Sequence, residues 1–420
     1  MKIPDVSHDA WNELYAAAAE FSALKPWQHF QDDIIFGVQD PASGQTSYAC
    51  VLGALGEIFA LAVYRGAEGY DLHRRMQKNE FRRRPEDVVA LQNCLFAEFA
   101  DREELDKVDR DVVRKLGLSF RGSKSWPLYR SHLPGYAPWH LTEEEAKFLN
   151  VALRCASDAA SKVMESKLEL DAKPGRIFCY FPKTGETGPA FDTRWEPEPV
   201  HRPQPPTPIN LPVEALARIR AKALKDDGIW EADNFCLPSA LTDRDRPYFP
   251  LATLVAHQES GFIIHNGIAA LDSPAHQALA EALLEAVEKS GRLPSELQLR
   301  DEALAACLAP LGKALGIQLK PGKLKMVQEA RKELEKYMRT GKLPSMGPEP
   351  ADPKKAKNRT SPRIAEKTLF DLGRAIREQD FESDEELDAW IEDIISNQDI
   401  RKVAPQDALE VAQSVMYEAW

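Results

Sequence analysis

The stretch "ELQLRDEALAACLAPLGKALGIQL", residues 296–319, reads as a short apolar strand, an Asp at its end, a helix of about fourteen residues, a Gly stop and another strand. The stretch "FAEFADREELDKVDRDVVRKLGLSF", residues 96–120, has the same grammar. One chain carrying this order twice predicts two related α/β units.

Around the later stretch the elements fall in sequence as strand (229–235), strand (248–257), the turn "QESG", strand (262–266), helix from Ser273, strand (296–300), helix (302–315), strand (317–320) and helix (325–338). Ser273 and Pro274 suit a helix start, and Leu279, Ala282, Leu283, Ala286 and Val287 form one apolar stripe. The order is βββαβαβα. Around the earlier stretch, "DIIFGV", "TSYACVL" and "EIFALAVY" form a meander through the Asp-Pro turn at 40–41 and the glycines at 53 and 56. A basic helix-compatible run, the strand "CLFAEF", a helix from Asp101, the strand "LSF" and a long helix boxed by Thr142 and Glu145 complete it.

Proline divides the chain. Residues 195–212 hold seven prolines in eighteen positions, too many for a helix or central strand. Residues 341–362 are polar and rich in Pro, Gly and Lys, without apolar periodicity. The predicted organisation is therefore an N-terminal α/β domain (1–195), a Pro-rich linker (196–212), a second α/β domain that repeats the first (213–340), a linker (341–362) and an acidic helical tail (363–420). In the tail, Ser383 and Glu386 form a capping box, and Leu387, Trp390, Ile391, Ile394 and Ile395 recur at helical spacing.

The 420 residues, 43% hydrophobic and 29% charged, describe a globular chain with room for two or three cores. The net charge is −12, and residues 363–420 hold 6 Lys and Arg against 15 Asp and Glu, so the acidity belongs to the tail. This balance disfavours a general nucleic-acid binder, despite basic patches at 73–85 and 354–359. No apolar run is long enough for a membrane span, and the N-terminus lacks a secretory pattern, so a cytoplasmic protein is expected. Six scattered cysteines without CxxC spacing read as reduced thiols. P-loop, GxSxG and HExxH signatures do not occur.

The stretch "FRGSKSWPLYRSHLPGYAPWHL" (120–141) sets Trp126, Tyr129, Arg130, Tyr136 and Trp139 among prolines and bases. These five are candidate ligand- or partner-binding residues on a long irregular loop.

The order of three antiparallel strands followed by alternating helices and strands resembles the RNase H-like fold of ribonucleases H, integrases and transposases. That resemblance implies carboxylates converging on divalent ions, since Mg²⁺ or Mn²⁺ pairs clamp the oxygens of a phosphodiester. The matching residues are Asp233, Asp301 and Glu329 or Glu333 in the second unit, and Asp40, Asp101 and Glu145 in the first. Asp101 and Asp301 also stand where an N-cap is favoured. The passages "GALGEIFALAVYRGAEG", "FRGSKSWPLYRSHLPGYAPWHL" and "AQSVMYEAW" further resemble an uncharacterised bacterial family built from two domains of unknown function. The expectation is a non-catalytic binding protein without a cofactor, meeting a protein partner through its C-terminal helices; the alternative is a Mg²⁺- or Mn²⁺-dependent nuclease with catalytic Asp233, Asp301 and Glu329 or Glu333.

Overall fold

In a computed structural model of the chain, the described residues are 1–82, 87–183, 190–202, 205–222, 224–270 and 273–340. All belong to one compact unit spanning Met1–Leu343. The linker 341–362 and the tail 363–420 lie outside the described residues.

Helix α1 (His8–Ala23) precedes strands β1 (Ile35–Gln39), β2 (Thr46–Leu52) and β3 (Ala60–Arg65). Helices α2 (Gly66–Gln77) and α3 (Asp87–Leu91) lead to β4 (Cys94–Ala100), α4 (Lys107–Lys115), β5 (Trp126–His132), the long α5 (Glu143–Met164), β6 (Arg176–Pro182) and β7 (Phe191–Pro197). The seven strands form one mixed sheet in the order β5-β4-β3-β2-β1-β6-β7. The central strands are buried along most of their length, because helices cover both faces. On one face α1 and α5 pack Leu14, Phe21, Leu149 and Leu153 onto Phe36, Val63 and Phe99. On the other, α2 sets Tyr70 against Tyr48.

This wiring departs from the sequence reading in a definable way. "CLFAEF" is a strand, but it pairs antiparallel with β3 instead of joining β1. The chain leaves β3 at Arg65 and enters β4 at the same end, with Tyr64 opposite Cys94 and the Arg65 amide bonded to the Asn93 carbonyl at 3.0 Å. An excursion that returns to its starting end cannot deliver a parallel strand. The crossover is made later by the 22-residue α5, which places β6 parallel to β1. There Gly37 lies so close to Cys179 that a Cβ would collide with the sulfur, which explains a glycine in a central strand. Residues 118–120 are not a strand, and the fifth strand is β5, inside the stretch expected to be an irregular loop.

The second domain contains each strand and helix of the reading in order, with one further helix and two short strands in addition and the second strand starting later, at Leu251. After α6 (Val213–Ala221) and the short β8 (Lys225–Asp226) come β9 (Ile229–Cys236), β10 (Leu251–His257), β11 (Ile263–Ile268), α7 (Ala275–Ser290), β12 (Arg292–Leu293), β13 (Glu296–Leu299), α8 (Glu302–Leu315), β14 (Gln318–Pro321) and α9 (Lys325–Thr340). The main sheet has the order β11-β10-β9-β13-β14, with β13 parallel to both β9 and β14. The second domain is thus a three-stranded meander continued by parallel strands beside its first strand. Helices α7 and α8 cover one face through Leu279, Leu283, Leu304 and Leu308, and α9 covers the other through Val327. Beyond β7 the Pro-rich connector forms neither helix nor strand where described, and its Ile209 joins the second core.

Segment 245–249 of the second domain meets the loop after β5. Tyr136 forms a β-bridge with Tyr248, and Arg246 donates to the Ala137 carbonyl at 3.2 Å and to that of Ser131. Among the described residues no helix is long and apolar enough to cross a membrane.

Candidate functional site: an aromatic-walled cavity in the first domain

Helix α4 begins with a reciprocal capping box. The Asp109 amide donates to Asp106 Oδ1 at 2.9 Å, and the Asp106 amide donates to Asp109 Oδ2 at 3.1 Å. Strand β5 brings Arg130 to this box. Its two terminal nitrogens reach Asp109 Oδ1 at 2.9 Å and Oδ2 at 2.7 Å, a two-pronged pair, and one also meets Asp106 Oδ2 at 3.3 Å. His140 completes the cluster, with Nε2 3.2 Å from Asp106 Oδ2 and Nδ1 3.7 Å from Asp109 Oδ1.

The charges balance through burial and contact. Burial works to raise Asp106, but the Asp109 amide, His140 and Arg130 outweigh it and hold the carboxyl below its ordinary value. Burial and then Arg130 push His140 below the usual imidazole value, against the pull of both carboxylates. The imidazole is therefore neutral at pH 7, keeping one donor and one acceptor nitrogen.

Beside the cluster lies a cavity of about 440 Å³. Trp11 and Tyr15 of α1 and Tyr129 of β5 supply aromatic lining, Val112 of α4 and Leu116 just after it aliphatic lining, and Asp109 and His140 polar groups, with Asp5, His8 and Lys115 also on the wall. The rings stand edge to face or tilted, with Tyr15 and Tyr129 centroids 5.1 Å apart and Trp11 and Tyr129 6.0 Å apart. Residues 3–6 of the N-terminal segment form part of the lining. That segment is anchored by the Lys2 carbonyl, which accepts from Trp139 Nε1 at 3.2 Å, and by Ser7, whose amide donates to Glu143 at 2.7 Å. The Tyr129 hydroxyl is buried without a hydrogen-bond partner, and burial raises its pKa far above the ordinary phenol.

The five aromatic-stretch candidates thus separate. Tyr129 lines the cavity, and Arg130 holds the acidic pair beside it. Trp126 packs on Phe120 with ring centroids 5.6 Å apart. Tyr136 faces Arg246, whose guanidinium lies 5.6 Å from its ring centroid. Trp139 pairs with Ser131 and holds the N-terminal segment.

The acidic candidates are placed as follows. Asp40 closes its own turn through Ala42 and Ser43. Asp101 accepts the Lys124 amide at 2.7 Å, and Glu145 boxes Thr142 and binds Arg65 at 2.6 Å. These three serve separate local structures. In the second domain Asp233 lies buried on β9 and Asp301 caps α8 through the Leu304 amide at 2.8 Å. Arg300 reaches both, while Glu329 and Glu333 are exposed on α9. Sequence reasoning missed Asp106 and Asp109; their D-x-x-D spacing before an amphipathic helix signals a capping box but says nothing of Arg130 or His140.

One ligand atom each from Asp106, Asp109 and His140 falls within 4.8 Å of the others, a spacing that a metal ion could use. All four carboxylate oxygens already have protein partners, and Arg130 supplies the positive charge.

These features define a mixed α/β protein of two domains. Residues 11–179 match the family model described as a domain of unknown function (DUF7309), and residues 215–335 match a second, DUF6930, so the chain is built from these two domains of unknown function. A search of curated proteins gives no match. Among solved structures, the chain is similar to the catalytic core domain of BIV integrase in crystal form I, with 16% identity over 27% of this chain and 70% of that one, at a TM-score of 0.21. It is also similar to the HTLV-2 integrase catalytic core domain in complex with magnesium (trimeric form), with 12% identity over 29% and 78%, again at 0.21.

Proposed function

We propose that this chain is a non-catalytic binding protein whose first-domain cavity takes a compact amphipathic molecule, an apolar ring with one hydrogen-bonding end. The observation that carries this reading is the cavity itself, a hollow with aromatic and aliphatic walls whose lining also includes the polar groups of Asp5, His8, Asp109, Lys115 and His140, the usual mixed character of a small-molecule site. Trp11, Tyr15 and Tyr129 would hold the ring, and the neutral His140 would meet the polar end. Catalysis is not needed to account for the acidic pair there, because the capping box and Arg130 give each carboxylate oxygen a structural role. Buried thiols at Cys50, Cys94, Cys155 and Cys179 fit the cytoplasmic placement. The acidic tail is assigned, on sequence alone, to a protein partner.

The test is a thermal-shift and calorimetric titration with indole and p-cresol, wild type beside Val112→Trp, which fills the cavity. Saturable binding lost in the variant supports the reading. Binding by neither probe, or binding indifferent to Val112→Trp, counts against it.

A further inference from the structure

Asp233 sits on β9 with only 6% of its surface exposed, and Asp301 stands at the first turn of α8. Between them projects Arg300, the residue that follows β13. Its Nη1 lies 3.2 Å from Asp233 Oδ1 and 3.3 Å from the Asn234 carbonyl, and its Nε lies 3.3 Å from Asp301 Oδ2. One guanidinium therefore ties the first strand of the meander to the corner where β13 becomes α8.

A buried carboxylate that stays ionised is stabilised by a cation or by hydrogen-bond donors, because a bare charge in a poorly solvated place is strongly unfavourable. Two carboxylates brought within reach of one point can meet that need with a guanidinium or with a hard divalent ion, which prefers carboxylate oxygen. They cannot use both, since the two cations would repel at contact distance. Here the chain supplies the cation from its own sequence, next to the very Asp it serves. Backbone amides share the load: Asp301 Oδ1 caps the Leu304 amide, and Asp233 Oδ1, the oxygen that meets Arg300, also accepts the Asn234 amide at 2.8 Å. The arginine side chain is 31% exposed against 8% for Asp233, so the guanidinium is the more solvent-facing partner of the pair.

We infer that Arg300 is the resident cation of the second domain, so that Asp233 and Asp301 do not fit a divalent ion as they stand and become a Mn²⁺ site only when the guanidinium is removed. The same device appears at Arg130 in the first domain, where a guanidinium spans Asp106 and Asp109. The inference rests on other residues than the cavity reading, and either can fail without the other.

The experiment is a calorimetric titration of MnCl₂ into the full chain as wild type, Asp233→Asn, Arg300→Ala, Arg300→Lys and Asp233→Asn/Arg300→Ala. Wild type and the lysine variant, both retaining a cation beside the carboxylates, are expected to show no saturable binding. Arg300→Ala is expected to gain a saturable isotherm, and the double variant to lose it. If Arg300→Ala unfolds in EDTA, Mn²⁺ is expected to raise its folded fraction, because an ion that binds only the folded form stabilises it. Saturable wild-type binding that Asp233→Asn abolishes, binding by the lysine variant, a folded alanine variant that ignores Mn²⁺, or an unfolded one that Mn²⁺ does not rescue would each overturn the inference.

Discussion

Arg130 grips Asp109 through two hydrogen bonds at once, at 2.9 and 2.7 Å, with the side chains 18% and 11% exposed. This is a largely desolvated pair, and the aspartate is also half of the box that starts α4. Removing the arginine leaves a shielded negative charge opposite Asp106, a like charge in the same box. Arg130→Met is therefore expected to destabilise the protein by roughly 3 kcal/mol, the usual order for breaking such a pair from one side. Arg130→Lys should recover only part of that, because an ammonium cannot offer two parallel donors. Urea unfolding measures both, and a methionine variant within about 0.5 kcal/mol of wild type would refute the assignment.

His132, at the end of β5, gives a second expectation. Burial, and then Arg246, Arg130 and Arg65, push its pKa down from 6.5 to about 4. The folded state holds this ring neutral, whereas the unfolded chain protonates it as pH falls through 6.5. Its folding stability is thus fully present above that pH, is lost progressively as pH drops toward 4, and changes no further below. A shift of this size, discounted for partial exposure, is worth on the order of 2 kcal/mol. Comparing urea midpoints at about pH 7.5 and about pH 4.5, the stability lost by His132→Gln should be smaller than that lost by wild type by this amount. Parallel losses would show that the ring is not held neutral.

Arg246 reaches from the second domain to the Ser131 and Ala137 carbonyls and covers the Tyr136 ring. A charged donor to buried carbonyls contributes about 2 kcal/mol. Arg246→Ala is expected to cost that much and to speed amide exchange at Ala137, which donates to Pro247 at 3.0 Å, while leaving the amides of β9 and β10 protected. Uniform acceleration through both sheets would mean that the residue supports the whole fold and not this junction.

How far the sequence can be read depends on which signals are local. Helix α8 was legible to the residue because Asp301 caps it and Gly316, at φ +72°, ends it. Strand β4 was legible as a strand but not in direction, since alternation marks extended backbone and the route through α2 and α3 decides which end the chain re-enters. Asp106 and Asp109 carry a visible cap signal, yet the partners Arg130 and His140 arrive from β5 and the loop beyond, and pairing across elements leaves no periodic trace. Arg300 illustrates the same gap, because Asp301 reads as a cap or a ligand until Asp233 is brought to its neighbour.

Glu231 is the case that sequence reasoning passed over entirely. It lies fully buried on β9, where its Oε2 accepts from the amides of Met326 and Val327 at 2.7 and 3.1 Å, at the start of α9. A strand glutamate in an apolar setting thus does the work of an N-cap for a helix almost a hundred residues later, adding a favourable charge at the positive end of the helix dipole. Its other oxygen, Oε1, is buried without a hydrogen-bond partner. Glu231→Gln keeps an acceptor for the two amides but loses the charge and buries an amide group where Oε1 has no hydrogen-bond partner, so a loss of about 1 to 2 kcal/mol is expected. Glu231→Ala strands both amides and opens a void, and should cost about 3 kcal/mol or more. Exchange at Met326 and Val327 should rise in the alanine variant before the rest of the second core is affected. If the two variants lose equal stability, the charge and not the hydrogen bonds holds α9 in place; if neither loses any, α9 is held by its apolar face through Val327 alone.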